Sequence, residues 1–153
     1  FVLRCQGYMK KMSVVKDALT AKAAGGVHAM HDATEGGVLG GLYEVANASG
    51  VGMRIDESRF IWTEEIEGIC QYFGIDPLQS IAEGTLILTA ETSSASNILA
   101  ALKQEGIEAS VVGEVVPRKE GQEIKRRDGT VEKLKIPEQD PFWPIFFKDL
   151  EKQ

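Results

Sequence analysis

The segment His31-Asp32-Ala33-Thr34-Glu35-Gly36-Gly37 gathers an imidazole, two carboxylates, a hydroxyl and two glycines in one short stretch. Each of these types has a use beside an anion. Gly36 and Gly37 leave backbone N–H groups unobstructed, and a helix starting there would aim them at a phosphate with the positive end of its dipole. Asp32 and Glu35 could hold a Mg2+ ion bridging phosphate oxygens, since that ion takes one or two carboxylates and keeps several waters. Thr34 can donate to the same phosphate. The residues equally suit an ordinary capped strand-to-helix turn, in which Asp32 or Thr34 accepts backbone N–H bonds and the glycines permit tight packing. His31 alone fits a hydrogen-bonded structural role, and His28 is out of phase with it on a strand, so no two-histidine metal site is expected. Glu83-Gly84 is a second, fainter spot: its carboxylate faces either the same end of a sheet as the first turn or plain solvent.

The elements that must position these groups are legible as alternating patterns. Met9 to Ala24 carries Met12, Val15, Ala18, Leu19 and Ala23 at helical spacing and stops at Gly25-Gly26. Val27 to Asp32 then reads as a strand, Ala33 to Gly37 as a turn, and Val38, Leu39, Leu42, Val45 and Ala46 as a helix ending at Ser49-Gly50. Gly52 to Asp56 is a second strand; Thr63 caps a helix that runs to Phe73 and closes at Gly74. Gly84 to Ala90 is the most apolar strand, Ser93 to Gln104 a helix, and Ala109 to Val116 a further strand. Beyond residue 118 the texture changes to a charged hairpin around Asp128-Gly129 and an aromatic tail, Pro141 to Phe147. The interleaved charges of the hairpin predict a solvated edge, and the aromatics predict a terminal segment docked on its own core. Together these predict a single α/β domain over 1–153, a mixed sheet with helices packed on it.

Composition narrows the partners. Seventeen Lys plus Arg against 23 Asp plus Glu leave a formal charge of −6, which provides no cationic field for nucleic acid or anionic lipid. No apolar run approaches the roughly 18 residues of a membrane-spanning helix, and we expect no secretory leader. Cys5 and Cys70 lie far apart without a CxxC pair, which fits free thiols in a reducing cytoplasm. The sequence begins at Phe1 rather than Met, so we expect a piece of a longer protein carrying part of an active site.

Several ordered motifs together resemble a known family. Met30 to Val38, followed by Glu44-Val45-Ala46-Asn47-Ala48-Ser49-Gly50-Val51-Gly52, is similar to the C-terminal domain of the aminoimidazole ribonucleotide (AIR) synthase superfamily, nearest its hydrogenase expression/formation protein E branch. Gly74-Ile75-Asp76-Pro77-Leu78, Glu83-Gly84 and Val112-Gly113-Glu114-Val115 extend the likeness over residues 10 to 117. The resemblance implies a two-domain, dimeric enzyme that uses ATP and Mg2+ to phosphorylate an amide or thiocarboxamide-like oxygen. It places Asp32, Thr34, Gly36 and Gly37 on the phosphate side of a cleft shared with an N-terminal nucleotide-binding domain. That domain is expected outside this chain, which would be silent alone.

Three departures qualify the transfer. Glu35 stands where that branch tends to have Arg, reversing the charge facing a phosphate and calling for a cation. Ala82 replaces the Asn that commonly precedes Glu-Gly, and the sequence ends Asp149-Leu150-Glu151-Lys152-Gln153 without the terminal Cys of the maturation factors. The substrate is therefore left unassigned, and a non-catalytic ligand-binding or dimerisation module that kept the fold is the alternative.

Overall fold

The computed structural model describes residues 1–150. Six helices occur among them: α1 (Val2–Gly7), α2 (Val15–Ala24), α3 (Gly37–Ser49), α4 (Glu64–Phe73), α5 (Ala95–Gln104) and α6 (Phe142–Leu150). Six strands accompany them: β1 (Val27–Ala33), β2 (Gly52–Asp56), β3 (Thr85–Ala90), β4 (Gly113–Val116), β5 (Gln122–Lys125) and β6 (Val131–Lys133). The class is the expected mixture of α and β. Its strands, however, form two ladders rather than one sheet: β1 pairs antiparallel with β3, and a separate four-stranded sheet runs β4-β2-β5-β6.

The helix expected from Met9 is broken. Tyr8–Lys11 forms a 3-10 turn and α2 starts only at Val15. Val15 and Leu19 lie exposed, whereas Ala21 is fully buried in a cluster with Ile98 and Leu102 of α5. Small alanines let the two helices approach, so the contact face runs through Ala21 and Ala24 and leaves the larger residues outside.

Glycines likewise let α3 lie close on the β1–β3 pair. A Cβ on Gly41 would stand 2.7 Å from Ile87 Cδ1 and 3.5 Å from Cδ2 of His31. The inner face of α3 contributes Leu39, Leu42, Val45 and Ala46 to the main core, where they meet Met53, Ile55, Ile87 and Ile124. At its far end Gly50, in the left-handed region, donates its N–H to the carbonyls of Ala46 and Asn47, the expected stop.

In the larger sheet, β2 pairs antiparallel with β4 and parallel with β5, and β5 pairs antiparallel with β6. The strand expected from Ala109 is confined to Gly113–Val116, which pair with Gly52 to Ile55 of β2, and one further bond runs from Asp56 N–H to the Val112 carbonyl at 2.8 Å. The Asp128-Gly129 turn is present, with Arg126 N–H donating to the Thr130 carbonyl at 2.8 Å. Its flanking cations are anchors rather than solvated guards. The Arg126 guanidinium lies against the carboxylates of Asp76, Glu132 (3.0 Å) and Glu57 (3.6 Å), and Arg127 stacks 3.9 Å from the centre of the Trp62 ring.

Thr63 caps α4 as expected, its Oγ1 accepting from Ile66 N–H at 3.3 Å. No residue of α4 is fully buried. Cys70 is half-buried with Ile66, Ile69 and Phe73 along an open apolar cleft shared with Leu86 and Leu88 of β3. The aromatic tail forms α6, with Phe142, Trp143, Phe146 and Phe147 in mutual ring contact and the last two exposed. Residues 151–153, including the end that lacks a terminal Cys, lie outside the described residues.

Candidate functional site

The motif occupies the end of β1 and the start of α3. Ala33 is buried and fixes the strand end in the core, after which Thr34 and Glu35 stand exposed and Gly36 and Gly37 are buried. Gly36 and Gly37 both adopt positive φ, 81° and 69°. At Gly37 the requirement is double, since an added Cβ would meet the Leu78 carbonyl oxygen at 2.5 Å and that of Ser80 at 2.8 Å. Gly37 N–H donates to the Thr34 carbonyl at 3.1 Å, and Leu39 N–H to that of Leu78 at 2.9 Å. The helix start is thus seated on the backbone of residues 78–80.

The neighbouring amide has a distant partner. Gly36 N–H donates to Asp140 Oδ2 at 2.8 Å, and Asp140 is only 2% exposed. The other oxygen, Oδ1, accepts from Phe142 N–H at 2.9 Å and so holds the start of α6. One turn along, Trp143 Nε1–H donates to Glu35 Oε1 at 2.7 Å. Neither Asp140 nor Trp143 belongs to a motif whose residue types and spacing announce chemistry. Asp140-Pro141 does carry a local signal, an acidic residue followed by proline at a helix start. Nothing local links it to a glycine over a hundred residues earlier.

The structure brings Glu83-Gly84 to the same end of the β1–β3 pair as this turn. Ala33 stands opposite Thr85, and Ala82 N–H donates to the Thr34 carbonyl at 3.1 Å. Glu83 is exposed there. Gly84, at φ 84°, packs so tightly that a Cβ would come within 2.6 Å of the Lys11 carbonyl oxygen, which gives it a packing reason of its own. His31 is held from α3: its Nε2 lies 2.7 Å from Glu44 Oε2, while Nδ1 lies 3.8 Å from Asp32 Oδ1. Asp32 is mostly exposed, at 66% of its side chain, and borders a shallow depression with Val14, Val15 and Ala18.

The donor set is made of hard oxygens, suited to Mg2+ rather than to a soft metal. Among the described residues no three or more His, Cys, Asp or Glu side chains converge as a metal cage. Asp32 and Glu35 are exposed carboxylates outside any such cluster, and Glu35 already accepts from the Trp143 indole. Thiol chemistry is disfavoured at Cys70. Burial first, and the charge of Asp76 second, push that thiol up from its ordinary 9.0, away from the reactive thiolate.

Comparison with known proteins agrees with this layout. The chain is 36% identical to the carbamoyl dehydratase HypE of Escherichia coli (strain K12) over 118 residues, which are 76% of this chain and 35% of that protein. It is 40% identical over 98 residues to the carbamoyl dehydratase HypE of Rhizobium leguminosarum bv. viciae, covering 61% of this chain and 28% of that one. The chain thus spans about a third of the length of these curated relatives. The crystal structure of E. coli HypE, a hydrogenase maturation protein, superposes with a TM-score of 0.73 at 35% identity, over 84% of this chain and 40% of that one. A hydrogenase maturation protein HypE solved in complex with ATP superposes at 0.70 with 28% identity, over 77% of this chain and 38% of that one. The β1–α3 turn, the Glu83-Gly84 start of β3 and the β2–β4–β5 ladder all lie within residues 7–125, and over that span the chain belongs to the family described as AIR synthase related protein, C-terminal domain.

Proposed function

We propose that this chain is the C-terminal part of an ATP-using protein of the hydrogenase-maturation kind, and that its Asp32–Gly37 turn faces the phosphates of the nucleotide. The observation that carries the reading is the turn itself: exposed Asp32 and Thr34 ahead of buried Gly36 and Gly37 at the start of a 13-residue helix. Support comes from the structural relative solved with ATP. Thr34 would donate its hydroxyl to a phosphate oxygen, and α3 would direct its positive end there. Asp32 and Glu35 would hold Mg2+ already shared with the phosphates. Bound ATP would supply a phosphoryl group that turns an amide oxygen into a leaving group. The relatives' name, carbamoyl dehydratase, points to a carbamoyl-type amide as the substrate class. Glu83 offers an exposed carboxylate at the same end of the sheet.

The remaining nucleotide contacts are assigned to an N-terminal domain of the same protein, acting as a homodimer in the cytoplasm without nucleic-acid or membrane partners. The lengths of the relatives favour such a further domain, and no helix among the described residues is long and apolar enough to cross a membrane. One observation favours the second reading, a non-catalytic module. Gly36 N–H already has an acceptor in Asp140, so the turn is complete without a ligand.

Calorimetric titration of the complete gene product with Mg2+-ATP tests the assignment. Asp32→Asn and Thr34→Val should each weaken binding about tenfold, equivalent to about 1.4 kcal/mol. Saturable binding untouched by both substitutions would move the phosphates elsewhere, and absence of binding would select the module.

A further inference from the structure

The segment that follows β6 crosses the turn from one side to the other. Leu134 is buried in the main core, the Pro137 ring packs over Gly36, with its Cδ 3.6 Å from where a Cβ would stand, and Asp140 and Trp143 then reach Gly36 N–H and Glu35 Oε1. These contacts fall on the two adjacent residues that the phosphate and its cation would need. We infer that residues 137–147 form an internal latch, in which the Asp140 carboxylate occupies the anion position on the Gly36 amide until a nucleotide phosphate displaces it.

The inference rests on the phosphate-side reading of the turn and adds its regulation. A backbone N–H has one hydrogen to donate, so Asp140 and a phosphate oxygen cannot both take it with good geometry. Two anions placed side by side on one amide also repel. Displacement is coupled to α6, because Asp140 uses its second oxygen to hold Phe142 N–H and its carbonyl to hold Trp143 N–H at 3.2 Å. Losing Asp140 from Gly36 therefore loosens the start of α6 and releases the Trp143 indole from Glu35. The freed Glu35 carboxylate becomes available to Mg2+ in the same step. Binding of the nucleotide and undocking of the aromatic helix are one exchange.

Two readouts on the complete gene product test it: amide hydrogen exchange by mass spectrometry, and calorimetric affinity for Mg2+-ATP. Saturating Mg2+-ATP should raise exchange in the 139–148 peptide while the 34–39 peptide stays protected. Asp140→Ala should tighten ATP binding about tenfold, equivalent to about 1.4 kcal/mol. Trp143→Phe, which removes one indole N–H and keeps the ring packing, should tighten it by a smaller factor, roughly two- to fivefold. If ATP binds with 139–148 unchanged and equal affinity in both variants, the latch is wrong and the nucleotide site stands. If neither wild type nor variant binds ATP, the nucleotide reading and the latch both fall. Should Asp140→Ala fail to fold, the wild-type exchange and the Trp143→Phe affinity decide the matter.

Discussion

The guanidinium of Arg126, at the end of β5, is hydrogen-bonded through Nη2 to the carboxylate of Asp76, in the turn after α4. Asp76 also accepts from Leu78 N–H at 2.9 Å and from Gln79 Nε2 at 3.0 Å, so one carboxylate ties the hairpin to the backbone on which α3 is seated. Burial works to lower the Arg126 pKa, and the hydrogen bond and charge of Asp76, then those of Glu132, outweigh it and raise the net value. The group stays charged throughout the usable pH range. Arg126→Met should destabilise the chain by about 1–3 kcal/mol in urea unfolding, because Glu57, Asp76 and Glu132 lose their shared cation. A change within a few tenths would show that the network is dispensable.

Gly36 and Gly37 should respond unequally to alanine. Both carry the left-handed strain of roughly 1–2 kcal/mol. At Gly36 the added methyl makes an ordinary contact with Pro137, whereas at Gly37 it runs into the backbone carbonyls of Leu78 and Ser80. Gly37→Ala is expected to cost at least about 3 kcal/mol, well beyond Gly36→Ala. Thermal melts of the two variants measure the difference, and equal losses would contradict the close seating of α3.

Cys70 should be a poor nucleophile at neutral pH. Its thiol is pushed up by burial and then by Asp76, so its thiolate fraction at pH 7.5 falls below that of an ordinary cysteine. Alkylation by iodoacetamide, followed at Cys70 by mass spectrometry, should run slower than for glutathione-like free thiols and accelerate up to pH 9 and beyond. Rapid modification at pH 7 would refute this.

Asp128 carries an acid-side transition. Hydrogen bonds from the Thr130 N–H, at 2.9 Å, and then from the Thr130 hydroxyl, at 2.7 Å, lower its pKa below the ordinary 3.8. A lowered folded value means that the turn's contribution is fully present above pH 3.8 and is lost as pH falls through the folded value. The Thr130 amide resonance should therefore titrate with a midpoint below 3.8, and a midpoint at or above 3.8 would exclude the bond in solution.

Ile124, with no exposed surface at the centre of the larger sheet, is the position where truncation should matter most. Ile124→Ala is expected to cost about 2–5 kcal/mol by loss of apolar burial and the cavity left behind. Chemical denaturation reads this directly, and a loss under about 1 kcal/mol would mean that β5 is not packed as described.

Local chemistry was enough to reveal much of this molecule. The strand into Asp32, the glycine-started helix from Gly37, the Thr63 cap, the Gly50 and Gly74 stops and the Asp128-Gly129 turn all follow from propensities and capping within a few residues. So did the family, because its motifs are short, ordered and carried by those same turns. Other features depend on groups far apart in sequence. Whether Val15 or Ala21 faces inward depended on how closely α5 could approach, and the extent of β4 on its pairing with β2. Arg126 read as one more surface cation until Glu57, Asp76 and Glu132 surrounded it. The candidate site divides in the same way: residue types and glycine spacing determined that a turn able to face an anion exists, since φ preferences and hydrogen-bonding groups are local properties. That the Gly36 amide and the Glu35 carboxylate are already held by Asp140 and Trp143 was decided only by the tertiary structure, because a hydrogen bond closing over a hundred residues depends on where packing brings the two ends of the chain.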